Sequence, residues 1–398
     1  MTDERLKEYS FDPAGDELWR MGSDVDWIRG DYVCGLKHPG QFAQEYPWLV
    51  ANRLFAETMV KANAEMVKSI IGALISWRVC TIRQLRAGLS VVPVPDFQRD
   101  EPNLYGALCR LGVINVGFDM RERFEHITLP EVWVSLGNKQ QPIIDALRLL
   151  DPGDWLRKLM SSTRLYNARP HARHNTFASH VGVSLLADER VKMVGGDGWG
   201  SFRLIDRQAV AESGLNHISS TDLVALCDNN VMAGIEVQGQ RVNMEVKVAN
   251  WTKLLSYSPM QRRGLLCIWL LIRKAGVGVY PAFTNLIERT RQMGEMMVGD
   301  PTVASRMGIA YWDDWFDHGK PTGRLGEYTD MFGTQRSMFD PKWKEYTPTP
   351  RPFSTLENWG WQVMRDAIRE HWGWDASGWV MPEALRGNFY GFIKGDDE

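Results

Sequence analysis

The sequence predicts a mixed α/β (α+β) fold, in which helices cover a sheet of short apolar strands. Three short runs rich in Val, Ile, Leu and Met follow one another between residues 222 and 248, and turn residues separate them. A fully apolar run follows at Leu265–Ile272. Apolar residues recur at helical spacing before and after these runs. Helices on both sides of apolar strands are typical of a sheet flanked by helices.

Composition excludes several classes of protein. The 398 residues are 44% hydrophobic and 24% charged, as in ordinary globular proteins, and the net charge of −3 gives no overall attraction to polyanions. The five cysteines are scattered without a CxxC pair, so neither a disulfide framework nor a zinc site is expected. The charged N terminus does not resemble a signal peptide, and the longest apolar run is too short to span a bilayer. We therefore expect a cytoplasmic protein that has no membrane association.

Changes in pattern divide the chain into five segments. We expect an N-terminal arm, a helical module, a basic helical connector, a sheet domain and a C-terminal extension in which tryptophans are frequent. Their ranges are 1–57, 58–138, 139–172, 173–300 and 301–398. The Trp-rich extension is a candidate surface for a protein partner or for self-association.

The module at 58–138 has the element order of a winged helix-turn-helix. A helix ends near Cys80, Thr81 can cap a second short helix, and a third helix runs from Asn103 to Gly112 before two strands. Its third helix would be the recognition helix. Arginines that could contact DNA phosphates lie along the module at Arg78, Arg83, Arg86, Arg110, Arg121 and Arg123. The alternative is a three-helix module that contacts protein.

The connector supplies a second basic stretch. No acidic residue occurs from Trp155 to Ala187, while arginines accumulate, including Arg164, Arg169 and Arg173. This local excess of positive charge is a candidate phosphate-contacting surface. A solvated helix face explains the same pattern.

The candidate chemistry lies in the predicted strands. If the turn Asp228-Asn229-Asn230 is symmetric about Asn229, Asp222 lies opposite Glu236, with Cβ atoms about 5 Å apart. Two carboxylates at that distance suit Mg²⁺ or Mn²⁺. Gln238 follows on the same face of the strand. The alternative is that Asp222 and Glu236 only flank a hairpin and pair with Arg203, Arg241 or Lys253.

A second interpretation rests on the next predicted strand, Val242 to Val248. It contains Glu245-x-Lys247, whose two side chains would share one face. In a plain meander Glu245 would lie roughly 10 Å along the strands from the row of Asp222, too far to share one ion. Strand geometry therefore favours Asp222 and Glu236 as the site residues, whereas the Glu-x-Lys sequence motif favours Glu245 and Lys247.

These motifs resemble the PD-(D/E)xK nuclease superfamily. Asp222 starts a predicted strand, Glu236-x-Gln238 lies on the next, and Lys253-Leu-Leu-Ser-Tyr257 is similar to a helix element of some members. With the helical module, residues 60–290 resemble the replication-relaxation family of plasmids and integrated mobile elements. The resemblance implies a restriction-endonuclease-like mixed sheet with flanking helices and a DNA substrate.

The chain departs from that superfamily at three points. Thr221 stands where proline is usual, and Gln238 stands in place of a lysine or an acid. The first helix has no early glutamate, so His174 and His180 are the only plausible metal-side groups there. The expected function is a DNA-binding protein of a mobile element, with a nuclease-like domain that is either active or inactive. The alternatives are a non-catalytic regulator or replication accessory protein, and a structural or packaging component of a phage.

Overall fold

The computed structural model describes most of the chain up to Trp343. The described ranges are 9–14, 24–89, 94–150, 169–196, 221–229, 231–239, 244–256, 264–272 and 301–343. The fold is mixed α/β, as the sequence predicts. Most of the basic connector, with Arg164, and the tryptophans beyond Trp343 lie outside the described residues. In the described ranges, no helix is long and apolar enough to cross a membrane.

The N-terminal part is built on a small antiparallel sheet. Its strands are β1 (Val25–Ile28), β2 (Val79–Thr81), β3 (Ile114–Asp119) and β4 (Val132–Leu136), in the spatial order β1-β3-β4-β2. Strand β1 extends the β3–β4 hairpin on the side away from β2. The arm thus contributes a strand to the sheet of the following module.

The described residues place eight helices around this sheet. They are α1 (Gly30–Val33), α2 (Pro39–Glu45), α3 (Arg53–Ala62), α4 (Ala64–Trp77), α5 (Ile82–Gly88), α6 (Leu104–Arg110), α7 (Met120–Glu125) and α8 (Gln140–Leu150). Thr81 caps α5 as predicted, because its hydroxyl accepts from the backbone of Gln84 while the Gln84 side chain accepts from the backbone of Thr81.

A seven-stranded mixed sheet forms the second part. Its strands are β5 (Val191–Gly196), β6 (Leu223–Cys227), β7 (Met232–Gln238), β8 (Leu265–Leu271), β9 (Met307–Tyr311), β12 (Glu327–Asp330) and β13 (Gln335–Ser337). The order is β13-β12-β9-β8-β7-β6-β5, and a separate two-stranded ribbon joins β10 (Phe316–Asp317) to β11 (Lys320–Pro321). Strands β7, β8 and β9 are parallel, whereas β5, β6 and β7 run antiparallel in sequence.

Within the described ranges, four helices belong to this part. They are α9 (Ala172–Leu186), α10 (Met244–Ser256), α11 (Pro301–Ser305) and α12 (Trp312–Trp315), and α9 follows a 3₁₀ turn at Arg169–His171. Helix α9 packs against β5 and also contacts β2 and α5 of the N-terminal part. One hydrophobic cluster, from Val33 to Trp343, includes residues of both sheets. The two parts therefore share a core.

The predicted strand from Val242 to Val248 is wrong from Met244 onward, because helix α10 begins at that residue. The alternating valines imitate a strand, but the buried residues Val248, Trp251 and Leu255 recur at helical spacing. Val246 is 62% exposed. The helical apolar face, and not the valine alternation, decides the local structure.

Candidate functional site

The site lies at the carboxyl end of β7. This strand pairs antiparallel with β6 on one side and parallel with β8 on the other. The β6–β7 register pairs Leu223 with Ile235 and Leu226 with Met232, which confirms the predicted symmetric turn. Continued by one residue, this register sets Asp222 opposite Glu236. Ligand sites in open α/β sheets commonly form outside the carboxyl ends of the strands.

Asp222 is held from two sides. Its Oδ2 accepts a hydrogen bond from the backbone nitrogen of Val237 at 2.7 Å, and its Oδ1 lies 2.8 Å from Nε2 of His174. Because an ionised carboxylate only accepts, Nε2 of His174 carries the shared proton. Thr221, at the position of the usual proline, places its hydroxyl within 3.0 Å of the carbonyl oxygens of Leu223 and Ile235. These bonds fix the start of β6 against β7.

Glu236 is fully buried and its two oxygens have different partners. Oε2 accepts from Nζ of Lys247 at 2.9 Å, and Oε1 accepts from Nε1 of Trp251 at 3.0 Å. Lys247 and Trp251 are four residues apart on α10, so they project from neighbouring turns of one helix face. The lysine is 29% exposed and connects the buried carboxylate to the surface.

Burial and charge set the protonation of these groups. Burial, together with repulsion by Asp222, raises the pKa of Glu236 to about 7, although Lys247 and Trp251 counteract the rise. Burial alone would raise the pKa of Asp222, but His174 and Lys247 hold it below its ordinary value. For His174 and Lys247, burial lowers the pKa, and attraction to the carboxylates outweighs burial and raises it. The site thus contains two acids with opposite pKa shifts and two bases that compensate them.

The structure brings together four of the residues considered from the sequence, in an arrangement that differs in part from the expected one. Asp222 and Glu236 are adjacent, Gln238 is buried at the end of β7, and Lys247 reaches Glu236 from a helix. Glu245 lies in the first turn of α10, so the predicted shared strand face with Lys247 is wrong. The partners of the two carboxylates are His174 and Lys247.

Two residues were misjudged or missed from the sequence. His180 does not approach the site: it is fully buried, with Nδ1 2.9 Å from the hydroxyl of Tyr9, and burial lowers its pKa to about 3. Trp251 was missed. Its signal is its position four residues after Lys247, which becomes informative only once the segment is known to be a helix.

The predicted recognition helix is covered. All seven residues of α6 are buried, and a side chain at Gly106 would meet the carbonyl oxygen of Trp48 at 2.0 Å. The arm helices α1 and α3 pack against it. The prediction that α6 faces DNA is therefore wrong for this structure, because residues of the arm occupy its outer face.

Arg110 is buried together with the rest of α6. It is 7% exposed and donates to the carbonyl oxygens of Val33, Cys34 and Ala51, so its assignment to a DNA-contacting surface is wrong. Burial of the positive charge lowers its pKa. Its role is to tie α6 to the arm.

Four of the predicted arginines make ion pairs. Arg83 pairs with the buried Glu131 at 2.9 Å, Arg86 with Asp96, Arg121 with Asp119 at 2.9 Å and Arg123 with Asp26 at 3.4 Å. Among them Arg123 is the most exposed, at 75%. Each pair neutralises charge that a phosphate contact would use.

The other predicted basic residues are distributed differently. Arg78 is half-buried at the end of α4, with a backbone φ of 62°. Arg173 is half-buried in the first turn of α9, and burial lowers its pKa despite the nearby Asp24. Arg169 lies in the 3₁₀ turn. These positions do not define a continuous basic surface in the described part of the chain.

The carboxylate pair offers a limited set of metal ligands. In the described ranges, no group of three or more His, Cys, Asp and Glu side chains is arranged to hold an ion. Two carboxylates nevertheless suit Mg²⁺, which keeps several waters and shares its shell with substrate phosphates. Burial is the main cause of the raised pKa of Glu236, and repulsion by Asp222 adds to it; a cation between the two carboxylates would relieve the repulsion. In comparisons with family models, curated proteins and solved structures, the chain has no match.

Proposed function

We propose that the protein binds DNA and hydrolyses its phosphodiester bonds with Mg²⁺ or Mn²⁺, as a replication or mobilisation protein of a plasmid or other mobile element. The observation that carries this proposal is the convergence of Asp222, Glu236 and Lys247 at the carboxyl end of β7. Acidic pairs with a neighbouring lysine are the equipment of metal-assisted phosphoryl chemistry.

Each side chain has a role in this proposal. Asp222 and Glu236 would hold the ion, which supplies charge neutralisation at the phosphate. Lys247, half-buried but reaching solvent, orients a water or a phosphate oxygen. His174 holds Asp222 ionised and oriented through its Nε2 proton.

The element order supports the resemblance to the replication-relaxation family. In the N-terminal part, α4, β2, α5, α6 and the β3–β4 hairpin follow one another, and β2 pairs with β4, as in a winged helix-turn-helix. In the second part, a helix precedes three antiparallel strands and then parallel strands, as proposed for a restriction-endonuclease-like sheet. Because α6 is covered, DNA contact in this proposal uses the hairpin side or the connector.

A second candidate is a DNA-binding regulator or accessory protein without catalysis. One observation favours it: both oxygens of Glu236 and both of Asp222 already have hydrogen-bond partners from the protein. Such saturation stabilises a fold without an ion. Cleavage and binding assays distinguish the two candidates.

The test uses the full chain with supercoiled, linear duplex and single-stranded DNA, with Mg²⁺, Mn²⁺ or EDTA. We expect metal-dependent nicking that Asp222→Asn and Glu236→Gln abolish. Matched controls are Asp145→Asn and Glu57→Gln, which remove surface ion pairs within α8 and α3. DNA binding without cleavage under every condition would refute the nuclease and leave the regulator. Absence of DNA binding at low salt would refute both.

A further inference from the structure

Helix α9 connects the site to the N-terminal part through its first turns. His174 contacts Asp222 from one side of the helix. Thr176 follows two residues later, so its side chain points about 200° around the helix axis. Thr176 is fully buried against the N-terminal part, and the two sides of one helix turn therefore belong to two different environments.

Two buried side chains of the N-terminal part donate to Thr176. Nε2 of Gln84 donates to its carbonyl oxygen at 2.8 Å, and Nε1 of Trp133 donates to its hydroxyl oxygen at 3.0 Å. The same hydroxyl donates to the carbonyl oxygen of Ala172 at 2.7 Å. Backbone and side chain of Thr176 are thus both fixed, and so is the first turn of α9.

The two donors are themselves rigidly placed. Oε1 of Gln84 accepts from the backbone nitrogen of Thr81 at 2.9 Å, within the cap of α5. Trp133 lies on β4 directly opposite Thr81 on β2. Gln84 is hydrogen-bonded to Thr81 and Trp133 is paired with it, so a shift of Thr81 would move both donors and with them Thr176.

Further along α9 the contact continues. The hydroxyl of Ser179 donates to the carbonyl oxygen of Val79 at 3.3 Å, and Gly182 allows the ring of Trp77 to approach its backbone. The helix is therefore docked along about three turns, and the hydrogen bonds to Thr176 lie two residues from His174.

We infer that Gln84 and Trp133 are positioning residues for the candidate site: through Thr176 they hold α9 so that His174 meets Asp222. This inference rests on the proposed function of the site only for its catalytic consequence. Its structural content, the dependence of the His174–Asp222 contact on Gln84 and Trp133, stands without it. The N-terminal part thereby sets the geometry of the carboxylate that would hold the ion.

The first test uses two variants that remove single donors. In its ionised form, Gln84→Glu retains an acceptor for the backbone of Thr81 and has no donor for Thr176. Trp133→Phe keeps an aromatic ring and loses the indole N–H. The control is Asn103→Ala, which removes the cap of α6 in the same part of the protein but does not touch α9. If Gln84→Glu does not fold, Trp133→Phe tests the inference alone.

The readout is the Nε2 proton of His174, observed by NMR with ¹⁵N-labelled histidine and assigned by its loss in His174→Gln. The chain has eight histidines, so the spectrum is simple. We expect this resonance to shift and its exchange with water to accelerate in both donor variants, and to remain at the wild-type position in Asn103→Ala. An unchanged resonance in the folded donor variants would overturn the inference.

The second readout is DNA cleavage. We expect kcat to fall on the order of tenfold or more in the donor variants while KM for DNA stays near the wild-type value, because the reacting groups are misplaced and the DNA-contacting surface is not. Cleavage by the wild type with an unaltered His174 resonance in the variants refutes the positioning role alone. An altered resonance with no cleavage by the wild type refutes the proposed function alone.

Discussion

Replacing Lys247 with methionine should destabilise the protein more at high pH than at low pH. Lys247 compensates the buried carboxylate of Glu236, whose pKa is raised to about 7. At pH 5.5 that carboxyl is mostly protonated with or without the lysine, so the substitution removes one hydrogen bond, worth about 1 kcal/mol. At pH 8.5 the wild-type carboxyl is ionised, and the variant has lost its counter-charge.

The pH-dependent part of this effect follows from the pKa of Glu236. A raised pKa in the folded state contributes stability that is complete below the unfolded pKa and is lost as pH rises through the folded pKa. In the wild type the loss ends near pH 7. Without Lys247 the pKa rises further and the loss continues to pH 8.5, which adds about 2 kcal/mol at 1.36 kcal/mol per unit.

The assay is urea unfolding followed by tryptophan fluorescence at pH 5.5 and pH 8.5. The exposed Lys61→Met is the matched control and should change the free energy of unfolding little at either pH. In a Glu236→Gln background, Lys247→Met should lose its pH dependence because the titrating group is absent. Equal destabilisation by Lys247→Met at the two pH values, in the presence of Glu236, would refute this electrostatic reasoning.

Three further substitutions test the packing of the fold. Gly182→Ala places a Cβ 2.2 Å from the ring of Trp77 and should lower the free energy of unfolding by about 1–3 kcal/mol. An unchanged midpoint of thermal unfolding would contradict that contact. Arg110→Met removes the guanidinium that donates to the carbonyl oxygens of Val33, Cys34 and Ala51, and should cost about 1–3 kcal/mol in urea unfolding. DNA binding at low salt should not weaken, and weaker binding by the folded variant would restore Arg110 as a DNA contact. Asn229→Ala should cost about 1–3 kcal/mol, because the side-chain amide of Asn229 donates to the carbonyl oxygen of Met338. Hydrogen exchange of the backbone around Met338 should become faster, and protection equal to that of the wild type would contradict this role.

Local signals in the sequence were sufficient for the hairpin that carries the carboxylates. The turn about Asn229 is short and symmetric, so counting across it gives the observed pairing of Leu223 with Ile235. Thr81 likewise predicts the start of α5, because a capping hydroxyl binds a backbone nitrogen only three residues away. These features depend on neighbours in the chain.

Features that depend on distant segments were not predictable in the same way. The partner of Glu236 comes from helix α10, although the alternating valines at 242, 246 and 248 are typical of a strand. The helical structure is determined by burial of Trp251 and Leu255, which the local sequence does not reveal. The burial of α6 is set by the arm, which folds back over it. The sequence of α6 alone is equally compatible with a helix that faces DNA and with a helix that is buried.

The amide of Asn229 also has a consequence for the order of folding. During synthesis the β5–β6–β7 meander emerges first, and its turn donates to Met338 and Asp340, which lie 109 and 111 residues later in the chain. Until β8 is made, the edge of β7 that β8 will cover is unpaired, and the strand is apolar from Met232 to Ile235. Such an edge invites pairing with other chains. We expect nascent chains that end between residues 240 and 264 to depend most strongly on chaperones, and chains that extend past residue 340 to be released from that dependence.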